Sequence, residues 1–428
     1  MRKFGKRILV PEIKILCNKK SEYFKNNGGC KMRKSNLLFL ASLIILLLTL
    51  SACIDGNGEE TSGESTDSAD GENIVNIGYS GPLSGSGAYY GENTLNGLKI
   101  AVEEINEEGF EVDGETYKLN LVSLDDQYLP NETAANAKRL VQENDTPIIF
   151  TPHSGGIYAL QVFNEEENFI IGAYSSEPDI TEADNSLTVR IPPSYDGYLE
   201  PFTKYTMERF GTRLAAIPPV TQYGQDWAEA LIPHWEEEGG EVVHESSVDF
   251  GKDTDFFTLL TNALEEDPDV LFIGGPSEPT ANIAKQAREL GFDGGFMIMD
   301  QAKLDEMKSI TETYELLEGS IGTMPLVNAD YPGVDEFVEK YQAKYDENPG
   351  SEAGFHYVSM YIFVEAMKAA GNVDDADVIY ENIQAGLDAL PEEKKVYVIP
   401  GIDENGGFEI LTRVGAVEDG EIISIEAD

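Results

Sequence analysis

Residues 77–106 read "IGYSGPLSGSGAYYGENTLNGLKIAVEEIN". An apolar run from Ile74 to Tyr79 meets a glycine-rich turn, then a helical pattern over Asn93–Asn106. A strand, a tight turn and a helix, in that order, form the first half of a parallel β-α-β unit. Such a turn is also where phosphates are cradled. The chemistry here is wrong for phosphate. There is no GxxxxGK[ST] pattern, the glycines fall one residue off GxGxxG, and no basic residue stands between Gly81 and Leu98. Asp125 and Asp126 end the next strand, but lie well past the ~20-residue offset of a ribose-binding acid.

The alternation continues along the chain. One series of strands is expected at Ile74–Tyr79, Lys118–Leu124, Pro147–Phe150, Phe169–Gly172 and Leu187–Arg190. A second series follows at Arg213–Ile217, Glu241–Ser246, Val270–Ile273 and Phe296–Met299. Helical patterns separate them, which predicts α/β architecture with two doubly wound parallel sheets. Pro192 and Pro193 interrupt any helix through "RIPPSYDGY", Arg190–Tyr198, and mark a first crossover between lobes. A second is expected near Gly322–Leu326, and the tail reads as hairpins turning at Glu404–Gly406 and Glu418–Gly420. The expected division is residues 74–191 with 325–395 in one lobe, and 192–324 with 396–428 in the other.

The chain of 428 residues carries 30 Lys or Arg against 78 Asp or Glu. Residues 1–52 hold eleven of the bases and two of the acids, so 19 bases and 76 acids remain from Cys53 onward, a net of −57. That surface repels nucleic acid and anionic lipid headgroups. It also repels itself, and salt relieves this because the Debye length falls from ~10 Å at ~0.1 M to ~3 Å at ~1 M. A halophilic or salt-tolerant source is expected.

Met32–Cys53, "MRKSNLLFLASLIILLLTLSAC", has a basic start at Arg33 and Lys34 and an apolar stretch over Leu37–Leu50. Leu50-Ser51-Ala52-Cys53 then looks like a lipobox, so residues 32–52 are expected to be a lipoprotein signal peptide and Cys53 the lipidated residue. Residues 1–31 fit no part of this pattern and are expected to precede the true start at Met32. Residues 53–73, with almost no apolar side chain, are expected to be a flexible tether.

No cysteine follows Cys53, and His153, His234, His244 and His356 match no HExxH spacing, so neither a metal nor a cofactor is expected. There is no GxSxG elbow, and the Asp125–Asp126 pair is uninformative in so acidic a chain. Asn131-Glu132-Thr133 is a glycosylation sequon.

Further motifs appear in order: "LVSLDDQYLPNETAANAKRLV" from Leu121, "EPDIT" from Glu177, "QYGQDWAEAL" from Gln222, "DTDFFTLLTNALEEDPDVLFIGG" from Asp253 and "AKQARELGF" from Ala284. With the opening stretch they resemble the leucine/isoleucine/valine-binding protein family from Ile74 to the C-terminus. The resemblance implies a type I periplasmic-binding fold, two lobes joined by a three-crossover hinge. It implies an extracellular, lipid-anchored and monomeric receptor that captures a small neutral amino acid for an ABC permease and its ATPase subunits, and catalyses nothing. It also assigns residues to the cleft. Ser154, opening the helix-like "SGGIYAL", receives the ligand carboxylate, Gly155 lets the ligand approach closely, and the loop of Tyr174, Ser175 and Ser176 offers backbone groups and a hydroxyl to the same ligand head. Asp300 meets the ammonium, and Tyr90 and Tyr223 stand at the cleft mouth. Pro276 and Tyr195 replace side chains that shape the family's pocket, as do Pro152 and His153 before Ser154, which leaves the ligand open. Receptors for an amide, urea or an aromatic acid share this fold. A ligand sensor serving a separate signalling protein and an extracellular hydrolase are the other readings.

Overall fold

The structure, a computed structural model, describes residues 73–183 and 185–426. The expected signal peptide, the expected lipidation site Cys53 and nearly all of the expected tether lie outside them. Among the described residues no helix is long and apolar enough to cross a membrane.

Two sheets carry the described residues. The first has six strands: β1 (Asn73–Gly81), β2 (Phe110–Val112), β3 (Glu115–Asp125), β4 (Ile148–Thr151), β5 (Ile170–Ala173) and β6 (Thr188–Arg190). Their order is β2-β3-β1-β4-β5-β6, parallel except for the short edge strand β2. The second has seven: β7 (Arg213–Ile217), β8 (Glu241–Glu245), β9 (Val270–Ile273), β10 (Gly295–Ile298), β11 (Ser320–Thr323), β12 (Val414–Glu418) and β13 (Glu421–Ile425). They run β13-β12-β11-β10-β9-β7-β8, parallel except that β12 pairs antiparallel with both β11 and β13.

The near-continuous apolar runs arise because both faces of each sheet are covered. Successive side chains point to opposite faces. In β4, Ile148 and Phe150 face helices Ala88–Glu108 and Ser351–Ala370, while Ile149 faces helices Pro130–Asn144 and Ser154–Gln161. In β9, Leu271 and Ile273 enter one core of the second lobe, and Val270 and Phe272 the other.

Past the glycine-rich turn, helix Ala88–Glu108 packs closely on helix Ser351–Ala370. A Cβ on Gly97 would collide with Ala353 O on the neighbouring helix. Gly97→Ala is expected to cost about 1–3 kcal/mol through overpacking, read as a lower urea midpoint in molar salt. An unchanged midpoint would show that this helix pair has slack.

The chain passes between lobes three times: after Ile191, between Thr323 and Leu326, and before Val414. The last passage comes later than expected. Val396, Tyr397, Ile399 and Phe408 pack into the first lobe's core, and Gly407 pairs with Arg190 of β6. Residues 396–408 therefore extend the first lobe, because their apolar side chains match its exposed helix face. The expected turn at Glu404–Gly406 lies there, closed by an Ile402–Phe408 bridge. The β12–β13 hairpin turns at Asp419 and Gly420, both with positive φ.

Candidate functional site

The carboxyl ends of both sheets face one another, where open α/β sheets place ligands. β4 ends at Thr151, and the next residues enter helix Ser154–Gln161. His153 caps it, its Nδ1 accepting the Gly156 N–H at 3.0 Å. The cap leaves the first two helical amides, Ser154 and Gly155, outside the intrahelical ladder. Ser154 Oγ lies 2.7 Å from Ser175 Oγ, which follows β5. Ser176 Oγ lies 3.4 Å from Tyr223 OH on the second lobe. Tyr90, buried, donates to Pro152 O at 2.9 Å, and its ring lies 6.5 Å from that of Tyr174.

Asp300 follows β10 on the opposite wall. Its Oδ1 accepts from Tyr223 OH and from Trp227 Nε1, the latter at 3.0 Å. Burial, then the Asp300 charge, raises the Tyr223 phenol well above its ordinary value, so it donates and does not ionise. Burial raises Tyr90 and Tyr174 similarly. The walls combine hydroxyl groups and a helix start on one side with a carboxylate on the other. Such a pair of walls suits a zwitterion.

Seven of the ten residues singled out from sequence line one cavity: Tyr90, Ser154, Tyr174, Ser175, Ser176, Tyr223 and Asp300. Its volume is about 20 Å³, room for about one water, so an amino acid enters only when the lobes part. Three residues lie elsewhere. A Cβ on Gly155 would come within 2.9 Å of Pro130 Cγ, so its smallness serves helix packing. Tyr195 packs on Trp227 at 4.9 Å and donates to Glu177 Oε1 at 2.9 Å. Pro276 lines a neighbouring void of about 190 Å³ with Leu129, Val220 and Phe250. Tyr90 and Tyr223 are buried in the cavity wall, deeper than the cleft mouth expected of them.

The cavity also contains residues that the sequence reading passed over. Gln127 and Tyr128 both adopt positive φ, 54° and 64°. Asp125 Oδ1 holds this turn by accepting from Leu83 N and Gln127 N, and Asp126 Oδ1 accepts from Tyr128 N. Fully buried Asp126 also accepts from Ser80, Thr133 and His153 Nε2, the last at 3.0 Å. His153 stacks under the Tyr128 ring at 4.7 Å. Tyr128 OH, so placed, accepts from Gln301 Nε2 at 2.8 Å across the cleft. Lys303 completes the second-lobe wall, its Nζ donating to the carbonyls of Asp300 and Gln301. An oddity within the family motif was the available signal: His153 beside the serine is accounted for by the acid pair.

A wider depression of about 780 Å³ lies on the first lobe's outer face. Its cations are already paired: Lys340 and Lys394 reach Glu104 at 2.7 and 2.6 Å. Burial opposes ionisation of Glu104, but these hydrogen bonds hold its pKa at about 2. We read it as a surface charge network.

The sequence profile of the periplasmic binding proteins matches residues 74–407. An amino acid binding protein of Pseudomonas aeruginosa is 29% identical over 307 residues, covering 71% of this chain and 80% of that protein. The Leu/Ile/Val-binding protein of Escherichia coli K12 is 24% identical over 303 residues, 70% of this chain and 80% of that protein. The crystal structure of a leucine binding protein from Thermotoga maritima superposes with a TM-score of 0.69 at 26% identity, over 82% of this chain and 98% of that one. With that profile spanning both lobes and the cleft between them, the chain belongs to the periplasmic binding protein family.

Proposed function

We propose that this protein is an extracytoplasmic receptor that captures a neutral amino acid, of the branched-chain group or close to it, and presents it to an ABC permease and its ATPase subunits. The observation that carries this reading is Asp300 facing Ser154, Ser175 and Ser176 across one cavity. The ligand carboxylate takes the Ser154 amide and the serine hydroxyls. Its ammonium takes Asp300 and the Tyr174 carbonyl. Among the described residues no arginine lines the cavity, and the one cation that does, Lys303, is turned onto backbone carbonyls. That favours a neutral side chain over an acidic one. The amino acids bound by its relatives point the same way. The protein performs no chemistry: it holds the ligand, and closure of the lobes excludes water. A lipid on Cys53 tethers it as a monomer at the outer face of the membrane, and its acidic surface suits a saline medium.

The test is a thermal-unfolding panel in molar salt with amino acids, amides, urea and aromatic acids. A ligand at about 100 times its Kd stabilises by ~2.7 kcal/mol. Leucine, isoleucine or valine is expected to raise the midpoint while urea does not. No response to any amino acid would refute the ligand assignment.

A further inference from the structure

The lobes meet through carboxyl groups. On one flank, Glu306 of the second lobe faces Glu352 of the first. Glu306 Oε2 accepts from Ser277 Oγ at 2.5 Å, and its Oε1 from Asn93 Nδ2, across the cleft, at 3.4 Å. Glu352 is fully buried in the first turn of helix Ser351–Ala370, and neither of its oxygens has a hydrogen-bond partner. Gly350 makes room for both groups, since a Cβ there would collide with Glu306 Oε1 and Glu352 Oε1 at once. Lys303 Nζ stands 3.9 Å from Glu352 Oε2, beyond hydrogen-bond reach. On the other flank, Glu177 of the first lobe interacts with Asp226 on helix Gln222–Glu237. Glu177 Oε1 accepts from Tyr195 OH, while its Oε2 is buried without a partner.

A buried carboxylate oxygen without a donor is costly, and two facing carboxylates resist ionising together. One proton per pair answers both demands: it removes a charge and supplies the missing donor. We infer that lobe closure takes up protons at two cross-cleft carboxyl pairs, Glu306–Glu352 and Glu177–Asp226, so that ligand capture weakens as pH rises. This deepens the receptor reading and rests on it.

The groups facing Glu306 are Glu352 and Tyr89 from the first lobe and Asp305 and Lys303 from its own. Those facing Glu177 are Asp226, Asp179, Tyr195 and Tyr158. Burial first, then the facing carboxylate, raises Glu306 well above the ordinary Glu value and Glu177 to about 8. Lys303 and Tyr195 respectively oppose these shifts without cancelling them. With the lobes apart, both side chains meet water and return toward about 4.3. Between that value and the raised one, only the closed form holds the proton. Closure is therefore favoured at low pH and lost as pH rises, by up to about tenfold per pH unit for each group. Asp305, raised by burial to about 6, adds to the slope only below that pH.

The experiment has two arms, both in molar salt. Affinity for L-leucine is measured from about pH 6 to about pH 7.5 for the full chain, Glu306→Gln, Glu177→Gln and the double variant. The logarithm of Kd is expected to rise with a slope near two in the parent, near one in each single variant and near zero in the double variant. In the second arm, small-angle X-ray scattering follows the ligand-free protein over the same range and upward. The parent's radius of gyration is expected to grow with pH and the double variant's to stay constant. Scattering needs no ligand, so failure of leucine to bind would count against the receptor reading while scattering still decides this inference. A radius independent of pH in the parent, or a double variant that responds like the parent, overturns it.

Discussion

Asp300→Ala is expected to weaken amino-acid binding by about 10²- to 10³-fold, with little change in the unfolding midpoint of the ligand-free protein. Asp300 is partly exposed at the cavity wall, and its Oδ1 gathers the Tyr223 hydroxyl and the Trp227 indole N–H. Both donors polarise the carboxylate toward the cavity, and an incoming ammonium completes its shell. Removing one member of a buried ion pair costs about 3–5 kcal/mol, and each ~1.4 kcal/mol is tenfold in Kd. Much of that is the penalty of leaving the ligand's ammonium enclosed without a partner. Asp300→Asn keeps an acceptor oxygen and the shape of the wall, so its loss should be smaller. Tyr223→Phe removes a donor to the carboxylate, not the carboxylate itself, and should cost about tenfold. Calorimetric titration in molar salt, with the amino acid that stabilises the parent most, gives all three values. An Asp300→Ala protein that binds as tightly as the parent would remove the acid from the ammonium site.

What was legible in the sequence follows from how local each determinant is. The doubly wound sheets were visible because apolar runs such as Ile148–Thr151 and Val270–Ile273 are buried on both faces and need no distant partner to declare themselves. Ser154 and Asp300 were visible because each directly follows a strand, where the fold gathers its ligands. Tyr128 was not. Its position depends on two consecutive left-handed residues, held by acceptors from Asp125 and Asp126 and supported by His153, 25 residues onward in the chain. Nothing in "DDQYLP" separates that clamp from a solvated acidic loop. Gly155 and Tyr195 were misplaced for the converse reason. Their positions in the motif match the cleft, but Pro130 and Glu177, brought in by other segments, take up their side-chain space. The late boundary at residues 396–408 is also set by tertiary packing, through the stacking of Tyr397 on Phe355 and the fit of Phe408 to a core drawn from both halves of the first lobe.

The second large effect falls on stability. Asp126→Ala is expected to destabilise the protein by about 3–5 kcal/mol. Asp126 has no exposed surface and accepts from Tyr128 N, Ser80 Oγ, Thr133 Oγ1 and His153 Nε2. Alanine removes every acceptor together and leaves these donors facing a dry gap. An unsatisfied buried donor costs about 1–3 kcal/mol, and water entering the gap recovers part of the sum. The neighbouring Asp125 is a built-in control. It accepts from Leu83 N and Gln127 N but is partly exposed, so Asp125→Ala should cost about 1 kcal/mol as solvent replaces the carboxylate. Asp126→Asn should fall between the two, because its amide group presents N–H toward donors. Urea midpoints in molar salt rank the three. Binding provides the second readout. Once the clamp is gone, Tyr128 no longer has its left-handed backbone fixed, and its cross-cleft bond to Gln301 weakens. Asp126→Ala should therefore also raise the Kd for the captured amino acid, whereas a purely structural role would lower the unfolding midpoint and leave the Kd of the folded fraction untouched. A midpoint within 1 kcal/mol of the parent would mean that His153 and Thr133 satisfy each other, through the 3.3 Å contact between Thr133 Oγ1 and His153 Nε2, without needing the acid.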